Sequence, residues 1–137
     1  MKNTHISDAE RNFTMENISI DQLLAKMSEE FGGEPEIMKL LSGLKPEGVY
    51  EHAKNKNFAM GSNSIPPKFQ LLMAIAVSAA IGSEGCTLTY AKVASKKGLT
   101  VEEIMDSIML ARFISATAVV NTAGETMKML LGKTTSK

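Results

Sequence analysis

From Phe69 to Ile81 the chain runs 13 residues without a charge, broken only by Gln70 and Ser78. A helix crossing a bilayer needs about 20 apolar residues, so this segment is too short to span a membrane. Pro66-Pro67 stands before it and Gly82 after it. The segment reads as a helix from Lys68 to Ile81, apolar on nearly every side, which has to be surrounded by other elements. It therefore marks the centre of the fold, and the remaining sequence must supply what packs around it.

That remainder is helical in pattern. Ser19-Ile-Asp-Gln22 is a capping box, in which the serine hydroxyl and the glutamine amide satisfy orphan backbone donors. Ile20, Leu23, Leu24, Met27 and Phe31 follow at helical spacing, and Gly32-Gly33 ends the run. Pro35 opens a short helix to Leu41, with Gly43 after it, and Pro46 opens another to about Asn57 that presents Val49, Tyr50 and Ala53. The clearest break is Gly61 to Pro67. Beyond the central segment, a helix is predicted from Glu84 to Lys97, closed by Lys96-Lys97-Gly98. Thr100-Val-Glu-Glu103, a second capping box, opens a helix to about Phe113, and a last helix runs from Ser115 to Leu131 and ends at Gly132. No segment alternates as a strand does. The fold class is all-α: a single helical domain over 18–132, a loose polar arm over 1–17, and a polar tail over 133–137.

Charge and cysteine content narrow the functional classes. Fifteen basic residues balance fifteen acidic ones in 137 residues, so neither a nucleic-acid nor an anionic-membrane partner is expected. One cysteine excludes an internal disulfide framework. Two histidines without a nearby ligand pair argue against metal, and the absence of a glycine-rich phosphate loop argues against a nucleotide cofactor, so none of either is expected. The first residues contain no apolar leader, which points to a cytoplasmic protein. Ten methionines fit either irregular gaps between helices or a plastic binding or subunit surface.

The residues able to carry chemistry are few. Cys86 is the one strong nucleophile and falls in the first turn of its predicted helix, where free backbone amides favour a thiolate. Ser83 lies three residues before it, and Tyr90 four residues after it on the same helix face. The three form a small polar constellation. The structural alternative is a cysteine acting as a small hydrophobe and a tyrosine packed in the core with a wet tip. His52 lies beside Glu51, and His5 in the arm. Arg112 sits amid apolar helix, where a snorkelling or interface role is the ordinary one. Lys54 and Lys56, like Glu102-Glu103, read as solvated helix faces.

From Ile65 to Ala123 the chain resembles the carboxymuconolactone decarboxylase family, in particular its alkylhydroperoxidase D-like branch. The family pattern is a proline-led apolar helix, then Gly-Cys-x-x-Cys-x-x-x-His, an alanine, a glycine, and a helix opened by Thr or Ser with acidic residues. This chain has Leu72 to Ser78 ending in Ala-Val-Ser, then Gly82, Ser83, Cys86 and Tyr90, then Ala94, Gly98 and Thr100-Val-Glu-Glu-Ile104. The resemblance implies a helical bundle of about six to seven helices and a homo-oligomer, a trimer or hexamer. By the same mapping Ser83 takes the place of the first cysteine, Cys86 that of the second and Tyr90 that of the histidine. A proton-relaying glutamate falls at Leu71. The joint changes at Ser83, Tyr90 and Leu71 mark a diverged site.

A lone thiol cannot complete an internal dithiol–disulfide cycle. Oxidised by a peroxide, Cys86 would stop at a sulfenic acid awaiting an external thiol reductant. Tyr90 is suited to donating a hydrogen bond to a bound oxygen, Ser83 to hydrogen-bonding the sulfur, and Leu71 to drying a pocket. The leading expectation is thus residual one-cysteine peroxide reduction or disulfide exchange on a small-molecule substrate. The alternatives are a non-catalytic oligomeric binding protein with an apolar ligand pocket, and lactone decarboxylation, for which His52 or Arg112 would have to reach the site.

Overall fold

A computed structural model describes residues 17–61 and 64–134. The arm predicted over 1–17 and the end of the polar tail therefore lie almost wholly outside the described residues. Seven helices and no strand are present among the described residues: α1 Ile20–Phe31, α2 Glu36–Leu44, α3 Pro46–Met60, α4 Pro67–Ala80, α5 Glu84–Lys96, α6 Val101–Thr122 and α7 Gly124–Thr134. The protein is all-α. None of these helices is long and apolar enough to cross a membrane. The helices divide into two compact units, α1 to α3 and α4 to α7, with the division between Pro66 and Pro67.

In the first unit the Ser19 capping box forms in both directions. The Ser19 amide donates to Gln22 Oε1 at 2.9 Å and the Gln22 amide donates to Ser19 Oγ at 3.2 Å. Helix α1 ends at Gly32, which adopts the left-handed conformation, φ 70°, that glycine takes without a Cβ clash. Helix α2 runs through Gly43 to Leu44, past the predicted stop. It ends because Pro46 forces Lys45 out of the helical region, to φ −150° and ψ 84°. Leu23, Met27, Val49 and Ala53 form the core, with Ile18, Leu24, Phe31, Met38, Leu41 and Tyr50 packed around it. A Cβ on Gly48 would stand 3.1 Å from Leu41, so its lack of a side chain lets α3 approach α2. The Tyr50 hydroxyl donates to the Ile18 carbonyl at 3.1 Å, pinning the entry to α1. Lys56 pairs with Glu30 and lies over the Phe31 ring, 5.2 Å from its centroid.

In the second unit α4 packs against both α5 and α6, which is the central role the sequence predicted. Its buried residues are Gln70, Leu71, Ile75 and Ser78, and those of the two helices it packs against are Val93 and Ala94 of α5 and Ile104, Ser107 and Ala111 of α6. The helix is not covered all round, however. Phe69, Met73, Val77 and Ile81, spaced four residues apart, are each more than half exposed. Helix α6 opens with the second capping box, the Thr100 amide donating to Glu103 Oε2 at 2.9 Å and the Glu103 amide to Thr100 Oγ1 at 3.1 Å. Glu103 also pairs with Lys68, tying the first turn of α6 to that of α4.

Further predicted ends move. Helix α3 continues beyond Asn57 to Met60, α6 continues beyond Phe113 to Thr122, so the break falls at Ala123-Gly124 rather than at Ile114, and α7 runs through Gly132 to Thr134 rather than stopping at Leu131. For α3 and α6 the reason is the same: no glycine or proline stands between the predicted end and the observed one.

Candidate functional site

The site predicted from the sequence is built at the junction of α4 and α5. Gly82 takes φ 76°, and this left-handed residue reverses the chain after α4. Its amide donates to the Ala79 carbonyl at 3.2 Å, and the next amide, of Ser83, reaches back to the Ser78 carbonyl at 2.8 Å. These two bonds satisfy carbonyls that the helix end would otherwise leave open. Ser83 is thus fixed by the end of α4 and is at the same time the residue that caps α5, with φ −86° and ψ 84°. Its carbonyl is doubly occupied, accepting from the Thr87 amide at 2.9 Å and from the Thr87 hydroxyl at 2.8 Å. Its side chain makes no capping bond to the first turn.

Cys86 is the third residue of α5 and is exposed. The amides of a helix's first turn have no intrahelical acceptor, so the sulfur sits where backbone donors and the positive end of the helix dipole are available to an anion. Tyr90 lies one turn further along α5 and is half-buried. Ser83, Cys86 and Tyr90 therefore occupy successive turns at the start of one helix. Leu71 belongs to α4 and is 4% exposed, a core side chain of the same unit. Arg112 is exposed on α6, and His52 is exposed on α3 in the first unit. His5 lies outside the described residues. Among the described residues, no three His, Cys, Asp or Glu side chains cluster so as to hold a metal ion.

The junction also holds a side-chain contact between α4 and α5. Ser78 is buried and its hydroxyl stands 3.1 Å from that of Thr87, while also lying 3.1 Å from the Ile75 carbonyl. Two hydroxyl protons serve three contacts here. In the arrangement that satisfies most, Thr87 donates to Ser78 or to the Ser83 carbonyl and Ser78 donates to Ile75. The signal was present: Gln70 and Ser78 are the polar residues of the apolar run, and both are buried. A polar side chain on a buried face needs a partner, and no buried side-chain polar atom among the described residues lacks one. The hydroxyl pair holds the start of α5, and with it Cys86, against α4.

Compared with known proteins, the chain matches the model of the carboxymuconolactone decarboxylase family over residues 48–127, more than half its length. The matched stretch contains α4, α5 and α6 entire, and with them the Ser83, Cys86 and Tyr90 positions. No curated protein matches the chain.

Proposed function

The chain belongs to the carboxymuconolactone decarboxylase family, and on that premise we propose that it is an alkylhydroperoxidase D-like member working as a one-cysteine thiol oxidoreductase through Cys86. The observation that carries this reading is the exposed thiol in the first turn of α5. It stands on a junction held by hydrogen bonds rather than on a loose loop.

The cycle that suits these residues is short. The Cys86 thiolate attacks the distal oxygen of a hydroperoxide. The O–O bond breaks, the alkoxide takes a proton and leaves as the alcohol, and the sulfur becomes a sulfenic acid. Ser83 stands three residues before Cys86, where a resolving cysteine would be needed, so the sulfenic acid has no internal thiol to condense with. An external thiol condenses with it, releasing water and leaving a mixed disulfide. A second external thiol then displaces the first and returns Cys86 to its reduced form. The balance is one hydroperoxide reduced to alcohol and water against two thiols oxidised to one disulfide. Tyr90 serves as a hydrogen-bond donor to peroxide oxygen.

The test is turnover of an organic hydroperoxide with a small-molecule thiol as reductant. The reading requires peroxide consumption that is first order in the external thiol and abolished by Cys86→Ser. Consumption that survives Cys86→Ser overturns it.

A further inference from the structure

Cys86 is the third residue of α5, and the hydrogen-bond ladder of that helix begins at the carbonyl of Ser83, three residues before it. A hydroxyl or thiol on a helix ordinarily donates back to the carbonyl three or four residues earlier. Four residues before Cys86 stands Gly82, which is left-handed and lies outside the helix. The Ser83 carbonyl is therefore the acceptor that helix geometry offers the thiol proton. Both of its lone pairs are in use. The Thr87 amide donates to it at 2.9 Å and the Thr87 hydroxyl at 2.8 Å. That hydroxyl has a second acceptor, the buried Ser78 oxygen at 3.1 Å, but the carbonyl is the closer of the two. The Ser78 proton has its own acceptor in the Ile75 carbonyl, at 3.1 Å.

We propose that Thr87 is a positioning residue for Cys86: its hydroxyl closes the Ser83 carbonyl and so denies the neutral thiol a hydrogen-bond acceptor. An S–H group bonded to a carbonyl is held in its neutral form, whereas the thiolate is the nucleophile. With the acceptor closed, the proton gains nothing by staying on sulfur. A free carbonyl lone pair beside the sulfur would also repel its anion, and the Thr87 proton offsets that repulsion. The role rests on the one-cysteine reading, which needs Cys86 as the thiolate at the moment of attack. Other ionisable groups stand around the site. On α5 these are Glu84 and Tyr90, while α4 carries Lys68, paired with Glu103 at the opposite end of that helix. Helix α6 also carries Glu102, Asp106 and Arg112. Replacing Thr87 or Ser78 alters the charge of none of them, so a change in thiol reactivity between such variants is a property of the hydroxyls.

The experiment follows alkylation of Cys86 by iodoacetamide in the full chain, from about pH 5 to about pH 10, a range that brackets an ordinary thiol. Thr87→Val is expected to move the midpoint of the profile upward by about half a pH unit, the scale of one weak hydrogen bond. Alkylation at neutral pH then slows on the order of threefold, while the limiting rate at high pH stays that of the wild type. Thr87→Ser keeps the hydroxyl and is expected to restore the wild-type profile. Ser78→Ala leaves the Thr87 proton only the Ser83 carbonyl, so its midpoint is expected to stay or fall. Where Thr87→Val fails to fold, Thr87→Ala takes its place. An unmoved midpoint in the folded Thr87 variant overturns the proposal. So does an equal upward displacement in Ser78→Ala, which would make the effect that of a loosened junction. The profile needs no peroxide, so a wild-type chain that fails to turn over hydroperoxide counts against the catalytic cycle and not against the Thr87 contact.

Discussion

The amide of Ser83 donates to the carbonyl of Ser78 at 2.8 Å, across a glycine held at φ 76°. This bond closes α4 and sets the residue from which α5 starts, so the direction of α5 and the position of Cys86 follow from the conformation of Gly82. A Cβ at position 82 would meet no atom of the surroundings; the difficulty is in the backbone alone, where a left-handed L-residue costs about 1–2 kcal/mol. Gly82→Ala is therefore expected to lower stability by about that amount in urea denaturation, and to change the alkylation rate of Cys86 in the still-folded protein. A neutral effect on both would show that the junction does not set the site.

The Ser78–Thr87 hydroxyl pair makes a separate prediction. Removing one partner leaves the other in a partly dry environment, so Ser78→Ala is expected to cost about 1 kcal/mol and Thr87→Val a similar amount. Replacing both removes the need as well as the bond, so the double variant is expected to be more stable than the sum of the single losses implies. A double-mutant cycle in urea measures the coupling, which is expected at about 0.5–1 kcal/mol.

The first turn of α6 carries an acid-sensitive contact. Glu103 is held below the usual carboxylate value of 4.5, first by its hydrogen bond from Lys68 and then by that from the Thr100 amide. A carboxyl lowered in the folded state stabilises it at every pH above the unfolded value. That contribution begins to fade as pH drops past about 4.5 and is gone below the lowered folded value. The stability difference between wild type and Glu103→Gln is therefore expected to be constant near neutrality and to shrink with acid below that point. Thr100→Ala removes the cap itself and is expected to cost about 1 kcal/mol, read as a shift in the urea midpoint.

Most of the fold was legible where a local rule has one outcome. The Ser19–Gln22 and Thr100–Glu103 boxes form as read, and Gly32 and Gly98 both adopt positive φ at helix ends. Legibility failed where a boundary depends on packing rather than punctuation. Ser115 looks like a helix start but lies inside α6, because nothing before it stops the preceding helix. Gly43 looks like a stop but is passed over, the end being set by Pro46 two residues beyond Leu44. The apolar run of α4 announced a central helix; which of its faces stays open is decided by what α5 and α6 cover, and no local pattern contains that. At the site, the spacing of Ser83, Cys86 and Tyr90 placed them correctly at the start of one helix. The Ser78–Thr87 pair was missed because it joins two helices nine residues apart in sequence.

Adding a second thiol supplies a gain-of-function prediction. Ser83 and Cys86 are the cap and the third residue of α5, a separation of one helical turn that two cysteines can bridge. Ser83→Cys is expected to convert the external condensation into an internal one. An intramolecular disulfide should form after peroxide treatment, and turnover with a dithiol reductant should rise on the order of tenfold, as a bimolecular step becomes unimolecular. Mass spectrometry of the oxidised variant after alkylation of free thiols checks the disulfide. Tyr90→Phe in either background is expected to slow the peroxide step without abolishing it.

The most direct test of the account is the fate of the Cys86 sulfur after one equivalent of an organic hydroperoxide. With a sulfenic-acid trapping reagent present, the account predicts a single adduct located at Cys86 by mass spectrometry, absent from Cys86→Ser and lost when an external thiol is added first. A Cys86 that stays a free thiol through the pulse, still fully alkylatable afterwards, would contradict the central claim that this thiol is a redox centre.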